Sequence, residues 1–546
     1  MAIAARPEQV GRCAPDKSLH LRRMDETFDA VIIGSGFGGA LTAHALVDAG
    51  WSVLMLERGD WVDRGEAASK VENFVLYTPH FAKDCGYRVS QQSRRTVQIG
   101  GLFCVGGASV FYGGVSFRMR ESDFTPAAEI VADSGAEWPI SYDDLEPYYA
   151  DAERIIGVSG SDTGDPTAPW RSSPYLTPPS SFSPVSEIIA RAARSLGLHP
   201  FPMPRAIHEG GEPGRAKCIR CGACDGFACP VSAKNDLATK IIEPLMDRGL
   251  RMASGTAAVR LVTRRGRVEA VECVERSSGN RFTVRAREFV LAAGALATPQ
   301  LLLASELDRL NPAGDAIGRY LMRHVNTLNY GYLREPVTDD GFGKDLAIHD
   351  FYDGDPAPDA PRGPLGGIQS LPTPPLDLVK LQAPPPLPWV ARRFFRRGAG
   401  LMTMAEDQPR PENRVTLDHG RDSVGLPGLH INHYYTSRDL AADRALRRRA
   451  GRILRAAGAL FMYRRPIRTF SHALGTVRMG RDERTSPLDD VCRFRGVENL
   501  RVVDASVFPT SSAVNPSLTI AANALRVAAS MTAGDLDSLT VAEEVA

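Results

Sequence analysis

A chain of 546 residues is several times a typical domain, so it has room for two domains, or one large discontinuous one, and for a sizeable core. Its 65 Lys and Arg balance 64 Asp and Glu to a formal net charge of +1, which argues against a broad electrostatic field for nucleic acid or a membrane surface. No run reaches the roughly 18 uninterrupted apolar residues of a spanning helix, and nine cysteines in a chain this long are not the framework of a small secreted protein.

The first 23 residues carry Arg6, Arg12, Asp16, Lys17, Arg22 and Arg23 with no apolar core between them. They read as a tail and not as a secretory signal, and a cytoplasmic location is the default expectation. Residues 28–33 (Phe-Asp-Ala-Val-Ile-Ile) then predict a buried strand, and residues 40–49 a helix. Between them Gly34, Gly36 and Gly39 stand in G-x-G-x-x-G spacing. Gly34 permits the tight turn, Gly36 lets backbone amides approach a pyrophosphate, and Gly39 lets helix and strand pack closely. The pyrophosphate would sit on the helix N-terminus, where free N–H groups and the helix dipole favour an anion. Residues 51–57 predict a second strand ending in Glu57, an acid placed to bind a ribose hydroxyl. A lone glycine fingerprint is weak evidence, but strand, turn, helix, strand and acid in this order point to a dinucleotide-binding βαβ unit and away from a chance turn.

A polar, loop-like segment follows, and then residues 96–115, with the pairs Gly100-Gly101, Gly106-Gly107 and Gly113-Gly114. The residues between the pairs are largely Leu, Val, Phe and Tyr. Backbone apposed to something flat or bulky is therefore favoured over a series of surface turns. Ser141 followed by Asp144 forms a capping box for a helix through Arg154, and the Pro- and Ser-rich residues 160–184 cross between domains. Cys218, Cys221, Cys224 and Cys229 are spaced C-x2-C-x2-C-x4-C-P, one residue longer at the end than the ferredoxin run. Four thiolates so spaced suit an iron–sulfur cluster or zinc, or form a purely structural thiol cluster.

Residues 245–248 close a helix at Gly249, and residues 257–274 and 282–290 predict a small antiparallel sheet. Residues 289–303 repeat the opening grammar, a buried strand turning at glycine into a helix, and so return to the nucleotide sheet. Residues 326–429 predict a mainly antiparallel substrate-side sheet with one proline-dense loop at 372–388. Trp389, Phe394 and Phe395 lie among Arg392, Arg393, Arg396 and Arg397, and core packing with solvated arginines is preferred to a membrane or partner contact. Arg444, Arg447, Arg448, Arg449, Arg452 and Arg455 form the solvated face of a helix.

Residues 471–480 (Ser-His-Ala-Leu-Gly-Thr-Val-Arg-Met-Gly) and 502–520, which include Val-Asp-Ala-Ser and Val-Asn-Pro-Ser, complete the pattern. With the fingerprint, the Val105-Gly-Gly-Ala-Ser block and Gly294-Ala-Leu-Ala-Thr-Pro-Gln300, the chain resembles the glucose–methanol–choline (GMC) family of FAD-dependent oxidoreductases from about residue 28 to about residue 529. The resemblance implies an α/β fold: a Rossmann-like FAD-binding domain from residues 24–150, 230–320 and 466–537, and a discontinuous α+β substrate domain, built on an antiparallel sheet, from residues 151–229 and 321–465. Residues 1–23 and 538–546 remain as tails.

It also implies the cofactor site. Gly34, Gly36, Phe37, Gly38 and Gly39 would hold the pyrophosphate, with Glu57 and Arg58 on the adenosine side. Gly106, Gly107, Ser109, Tyr112, Gly113, Gly114 and Val115 would lie beside the isoalloxazine. The backbone of Val259 and Ala293 would follow the adenine, with Asp504 and Ala505 near the pyrophosphate and ribityl chain, and Asn515 and Pro516 at the flavin. Several relatives tether FAD through a histidine in a Gly-Gly-x-Ser-x-His block. Here that position is Phe111, followed by Tyr112, so the resemblance implies non-covalent FAD.

The family's catalytic pair maps onto His472 and Asn515. The chemistry suits those residue types: an alcohol is a poor hydride donor until its hydroxyl proton is accepted, and a neutral imidazole accepts it near working pH. The carboxamide can hydrogen-bond the same oxygen and fix its distance. Alone, His472 would read as a buried structural histidine; the sequence around Asn515 changes that. The continuation of the cysteine run, residues 224–236, resembles metal-free sugar-oxidising members, so a structural thiol cluster with room for one disulfide, and no metal, is preferred. The implied partners are a small-molecule alcohol and oxygen or another electron acceptor, with no nucleic acid and no transmembrane segment. A sugar, glycoside or related polyol is the first substrate expectation, and His349, Tyr352, Gln369 and Glu406 are the candidate substrate-facing residues. A bulky hydrophobic alcohol (sterol, polyketide or lipid-like), or a flavin-dependent lyase on the same fold, is the alternative. Oxidase versus dehydrogenase and oligomeric state stay open.

Overall fold

The structure, a computed structural model, describes residues 27–90, 96–212, 214–337, 343–373, 376–382 and 397–544. The expected 1–23 tail, the cluster from Trp389 to Arg396, and residues 374–375 and 383–388 of the proline-dense loop lie outside the described residues; residues 376–382 of that loop form a short helix. Among the described residues, seventeen strands form three sheets.

The first sheet is built around β1 (Thr27–Ile33), which lies parallel between β2 (Val53–Leu56) and β9 (Arg281–Leu291), with Ile32 opposite Met55 and Val290. β6 (Arg251–Ala253) extends it beyond β2, and β17 (Leu500–Val502) runs parallel to the end of β9. The apolar runs of these strands are buried almost throughout, as a parallel sheet covered on both faces requires. α1 (Phe37–Asp48) follows the glycine turn, and α2 (Tyr142–Ile156) begins at the expected capping box, where Ser141 Oγ accepts from Asp144 N. α2 runs to Ile156 and stops at left-handed Gly157. α3 (Gly294–Ala304) follows β9 through the predicted glycine turn.

β7 (Thr256–Arg264) and β8 (Arg267–Glu275) do not form a separate small sheet with β9, as the sequence reading expected. β9 is long enough to serve two neighbours on one edge: β8 pairs along its first residues, Val271 opposite Val284, and β17 along its last, Val502 opposite Leu291. The antiparallel pair is thereby continuous with the parallel sheet.

The segment after Glu57, expected to be loop, contains β3 (Phe81–Ser90). Cys85, Tyr87 and Val89 alternate inward while Asp84 and Arg88 face solvent, a period-2 pattern that identifies the strand. β3 pairs antiparallel with β4 (Thr96–Leu102) and parallel with β15 (Pro427–Asn432), and β14 (Arg414–Arg421) completes a four-stranded sheet. Residues 414–429, expected in the substrate-side sheet, therefore belong to this one.

The third sheet is antiparallel and six-stranded, in the order β16 (Ala459–Pro466), β10 (Val325–Leu333), β13 (Gly398–Ala405), β12 (Gly366–Leu371), β11 (Leu346–Ile348), β5 (Phe201–Pro202). One face, with Val325, Ile368, Leu401 and Ala405, packs on Ala442, Ala445, Leu446 and Ile453 of α4 (Ser437–Ala456). Arg444, Arg448, Arg452 and Arg455 of that helix are exposed, while Arg447 and Arg449 pair with Asp443 and Asp355. The opposite sheet face carries Leu328, Tyr330, Leu371, Met402 and Met404 as one cluster. The chain ends in α5 (Ser517–Glu544), packed against α1 and α2, and its helix continues through most of the span expected to be a tail, where Ala, Leu, Val and Glu are good helix formers or neutral.

Candidate active site

The turns after β1, β2, β9 and β17 meet at the C-terminal edge of the parallel strands, where ligands of open α/β sheets bind. Two of the fingerprint glycines, and Gly38 between them, serve backbone packing. A Cβ would stand 2.4 Å from the Ala292 carbonyl oxygen at Gly34, which has φ +103, 2.3 Å from the Val503 oxygen at Gly38, and 2.0 Å from the Gly34 oxygen at Gly39. Gly36 differs: it is the N-cap of α1, no side chain caps that helix end, and a Cβ there meets nothing within 4 Å. Open space thus faces the unpaired N–H groups of the first turn, beginning at Phe37.

Glu57 is buried, and burial pushes its carboxyl above the usual range. It accepts from Ser35 Oγ (2.6 Å), Ser35 N (3.1 Å) and Gly59 N (2.8 Å), and Gly106 N donates to the same Ser35 hydroxyl (2.9 Å). A Cβ on Gly107 would approach Gly36 Cα to 3.2 Å, so the 106–107 turn lies directly on the fingerprint. Arg58 is held inside the protein, paired with Asp422 at 2.8 Å and stacked over Phe103. Val259 is the extra residue where the β7–β8 register shifts, which takes its backbone out of the ladder. Ala293 caps α3, and a Cβ on Gly294 also meets nothing within 4 Å. Asp504 accepts from Gly294 N (2.9 Å) and Ser506 N (2.8 Å), and Ala505 accepts from Gly475 N (3.1 Å). The open glycines, the uncapped helix end and the bulged backbone fit the adenosine diphosphate portion of FAD. A cavity of about 490 Å³ lined by Arg264, Arg267, Arg287, Glu288 and Asn499 lies at the β7–β8 turn, away from this edge.

Toward the other end, Ser517 Oγ donates to the Val115 carbonyl (3.1 Å), bringing Asn515, Pro516 and the start of α5 beside the 113–115 turn. A Cβ on Gly113 would stand 2.8 Å from the Lys344 side chain, and on Gly114 3.1 Å from Ile207. Ser109 Oγ donates to the Gly106 carbonyl (2.7 Å), and Tyr112 packs edge-on to Phe37 while its hydroxyl donates to the Asn235 carbonyl (3.0 Å). Gly100 and Gly101 do not share this role. Their close approaches, 2.4 and 2.7 Å from a built Cβ, are to the rings of Phe81 and Phe103 within the β3–β4 region.

His472 is partly exposed, and its Nδ1 lies 3.0 Å from Nδ1 of His324, the rings edge-on. Nε2 of His324 lies 3.0 Å from the Ser511 carbonyl. Burial, then the neighbouring His324 and Lys344, push the His472 pKa well below that of free imidazole, so it is neutral at working pH. Asn515 Oδ1 accepts from Gln369 Nε2 (2.7 Å), which turns the Asn515 amide donors away from Gln369.

Of the candidate substrate-facing residues, Gln369 therefore meets Asn515, Tyr352 and Glu406 support the backbone of the 510–515 loop, and His349 packs behind Tyr352. Tyr352, buried, donates to Asp123 (2.8 Å) and accepts from Ala513 N (3.3 Å). Glu406 accepts from Ser512 N (3.0 Å), and burial, then the charge of Asp123, raise its carboxyl to about 8. His349 is fully buried between Phe117 and Phe201, its Nδ1 on Arg120 (2.7 Å) and Asp165 (3.0 Å). Sequence reasoning missed His324, Asp407 and Lys344.

Cys218, Cys221, Cys224 and Cys229 are free thiols. Burial pushes Cys224 up to about 12, and the buried Lys234 ammonium beside the run donates to the carbonyls of Tyr112, Cys224 and Phe227 at 2.7–2.9 Å. Among the described residues, no group of three or more His, Cys, Asp or Glu side chains is arranged to hold a metal ion, and no helix is long and apolar enough to cross a membrane.

The description GMC oxidoreductase belongs to family models that match residues 28–326 and 409–524. The chain belongs to the GMC oxidoreductase family. It is 33% identical to 6'''-hydroxyparomomycin C oxidase of Streptomyces lividus, over 92% of this chain and 91% of that one. It is 30% identical to paromamine 6'-oxidase of Streptomyces fradiae, over 97% and 96%. Among solved structures it shares its fold with pyridoxine 4-oxidase from Mesorbium loti, at 21% identity and a TM-score of 0.62, covering 92% of this chain and 98% of that one. GMC oxidoreductases are FAD enzymes, and the glycine edge described above is where this member would hold the cofactor.

Proposed function

We propose that this GMC oxidoreductase oxidises a CH–OH group of a sugar, glycoside or related polyol to a carbonyl, with His472 as proton acceptor, Asn515 as donor to the same oxygen, and FAD bound without a covalent link. The observation that carries the reading is the bridge made by His324, which touches His472 with one ring nitrogen and the loop leading to Asn515 with the other. Neutral His472 takes the hydroxyl proton, and the amide of Asn515, oriented by Gln369, hydrogen-bonds the oxygen as its charge grows. FAD, when bound, supplies the acceptor for the hydride leaving carbon. Non-covalent binding is supported by Phe111, which offers no nucleophile at the tether position, and by Tyr112, whose hydroxyl is engaged with Asn235. The polyol preference is supported by the two relatives named for hydroxyparomomycin and paromamine. The apolar sheet face of Leu328, Leu371, Met402 and Met404 favours, as a second reading, a bulkier hydrophobic alcohol.

The test is an anaerobic screen of sugars, glycosides, cyclitols and hydrophobic alcohols for bleaching of the flavin absorbance. A polyol is expected to bleach it with one carbonyl formed per flavin, and His472→Ala to abolish the bleaching. Bleaching by hydrophobic alcohols alone would favour the second reading. Wild-type rates in His472→Ala would overturn the assignment of the base.

A further inference from the structure

We propose that His324 is a positioning residue that holds His472 as its Nδ1–H tautomer, leaving the Nε2 lone pair for the substrate hydroxyl. The inference rests on the reading of His472 as proton acceptor and says how this chain selects the nitrogen that accepts.

The argument is one of hydrogen counting. Two ring nitrogens 3.0 Å apart, Nδ1 of His324 and Nδ1 of His472, share one hydrogen, since two N–H groups would clash and two lone pairs would repel. The other nitrogen of His324 faces the Ser511 carbonyl at 3.0 Å, and a carbonyl only accepts, so Nε2 of His324 carries a hydrogen. A neutral imidazole has one N–H, so Nδ1 of His324 is bare and the shared hydrogen belongs to His472. His472, neutral, then has its lone pair on Nε2, on the edge turned away from His324. His324 stays neutral because it is 1% exposed and, among the described residues, its ring hydrogen-bonds no carboxylate, so that burial outweighs the opposing charge of Asp407. The acid whose charge acts on it, Asp407, accepts from the backbone N–H groups of Arg323 (2.9 Å) and His324 (3.0 Å) and also faces His433 (3.8 Å). Burial accordingly lowers the His324 pKa, and Lys344 and Asp407 are the charged groups that act on His472.

The backbone supports the same conclusion. His324 has φ +59, a left-handed conformation uncommon for a side chain of this size. It is secured by the two bonds to Asp407 and by the Tyr435 hydroxyl, which donates to the His324 carbonyl at 2.7 Å. Strain over-determined by its surroundings in this way marks positions whose geometry matters. Because Ser511 lies in the loop of Asn515, one imidazole sets both the tautomer of the base and its register with the amide.

Magic-angle-spinning NMR of the FAD-loaded enzyme labelled with 15N-histidine reads the tautomer directly, with the His472 signals assigned by their loss in His472→Gln. The expected result is a protonated Nδ1 and a bare Nε2 at His472. In His324→Phe, which removes both contacts, the tautomers should mix, and anaerobic flavin reduction should slow about 10- to 100-fold with little change in substrate affinity. His324→Asn, whose Oδ1 can stand where Nδ1 stood, should restore the Nδ1–H signal and most of the rate. A wild-type His472 that carries its hydrogen on Nε2 would overturn the proposal without any variant having to fold, as would an unchanged tautomer in His324→Phe. The underlying reading fails separately: wild-type flavin reduction in His472→Ala would remove the base while leaving the tautomer measurement intact.

Discussion

Gly34 and Gly36 are two residues apart and answer differently to the same added methyl group. At Gly34 the methyl would stand 2.4 Å from a backbone oxygen at φ +103, so Gly34→Ala is expected to lower unfolding free energy by about 2 kcal/mol or more and to lose soluble holoenzyme. At Gly36 the methyl enters open space. Gly36→Val is expected to fold within about 0.5 kcal/mol of the parent while binding FAD poorly, as read by the ratio of flavin to protein absorbance beside a urea melt. Glu406 sets a pH dependence of known sign. Its carboxyl is raised from 4.5 to about 8 by burial, so between those values the folded protein holds a proton that the unfolded chain has released. Its contribution is complete below pH 4.5 and is lost as pH rises through 8, at up to about 1.4 kcal/mol per pH unit. Asp123, raised to about 6, acts in the same direction over a lower window. Glu406→Gln should flatten the fall in melting temperature between pH 6 and pH 8; an equal fall in both proteins would place the proton elsewhere.

Helix α2 shows what local grammar can do. Ser141 and Asp144 exchange the two bonds of a capping box, and Ser141→Ala is expected to cost about 1 kcal/mol in urea unfolding with flavin content unchanged. The β1–α1–β2 unit was legible for the same reason: its strand, glycines and acid lie within about thirty residues, so neighbours alone specify it. β3 was not, because Cys85, Tyr87 and Val89 are interleaved with charges and the strand acquires its buried edge from β15, far along the chain. β9 was read as two strands because its first half alternates and its second is continuously apolar, and only the tertiary pairing shows one strand serving both. The same division holds in the site. His472 and Asn515 sit in recognisable stretches, whereas His324 has no local signature, since its left-handed backbone and its contact across 148 residues are facts of the folded state.

For the molecule as a whole, the 510–515 loop is moored from every side. Trp138 donates to Thr510 (2.8 Å), His324 reaches Ser511, Asp407 N donates to Ser511 Oγ (3.3 Å), Glu406 takes Ser512 N, Tyr352 takes Ala513 N, and Gln369 holds Asn515. None of these partners is near the loop in sequence, so closing the site requires long-range contacts that form late. Stopped-flow refolding is expected to recover far-ultraviolet circular dichroism before it recovers flavin binding; simultaneous recovery would mean that the loop organises early. The two faces of the six-stranded sheet also divide the labour of adaptation. A library meant to retrain this catalyst on a different alcohol has Leu328, Tyr330 and Met402 as its variable alphabet, because they stand on the face opposite the α4 packing. Tyr352 and Glu406 belong to the scaffolding of the loop, and randomising them would empty the library of active clones before any new preference could be selected.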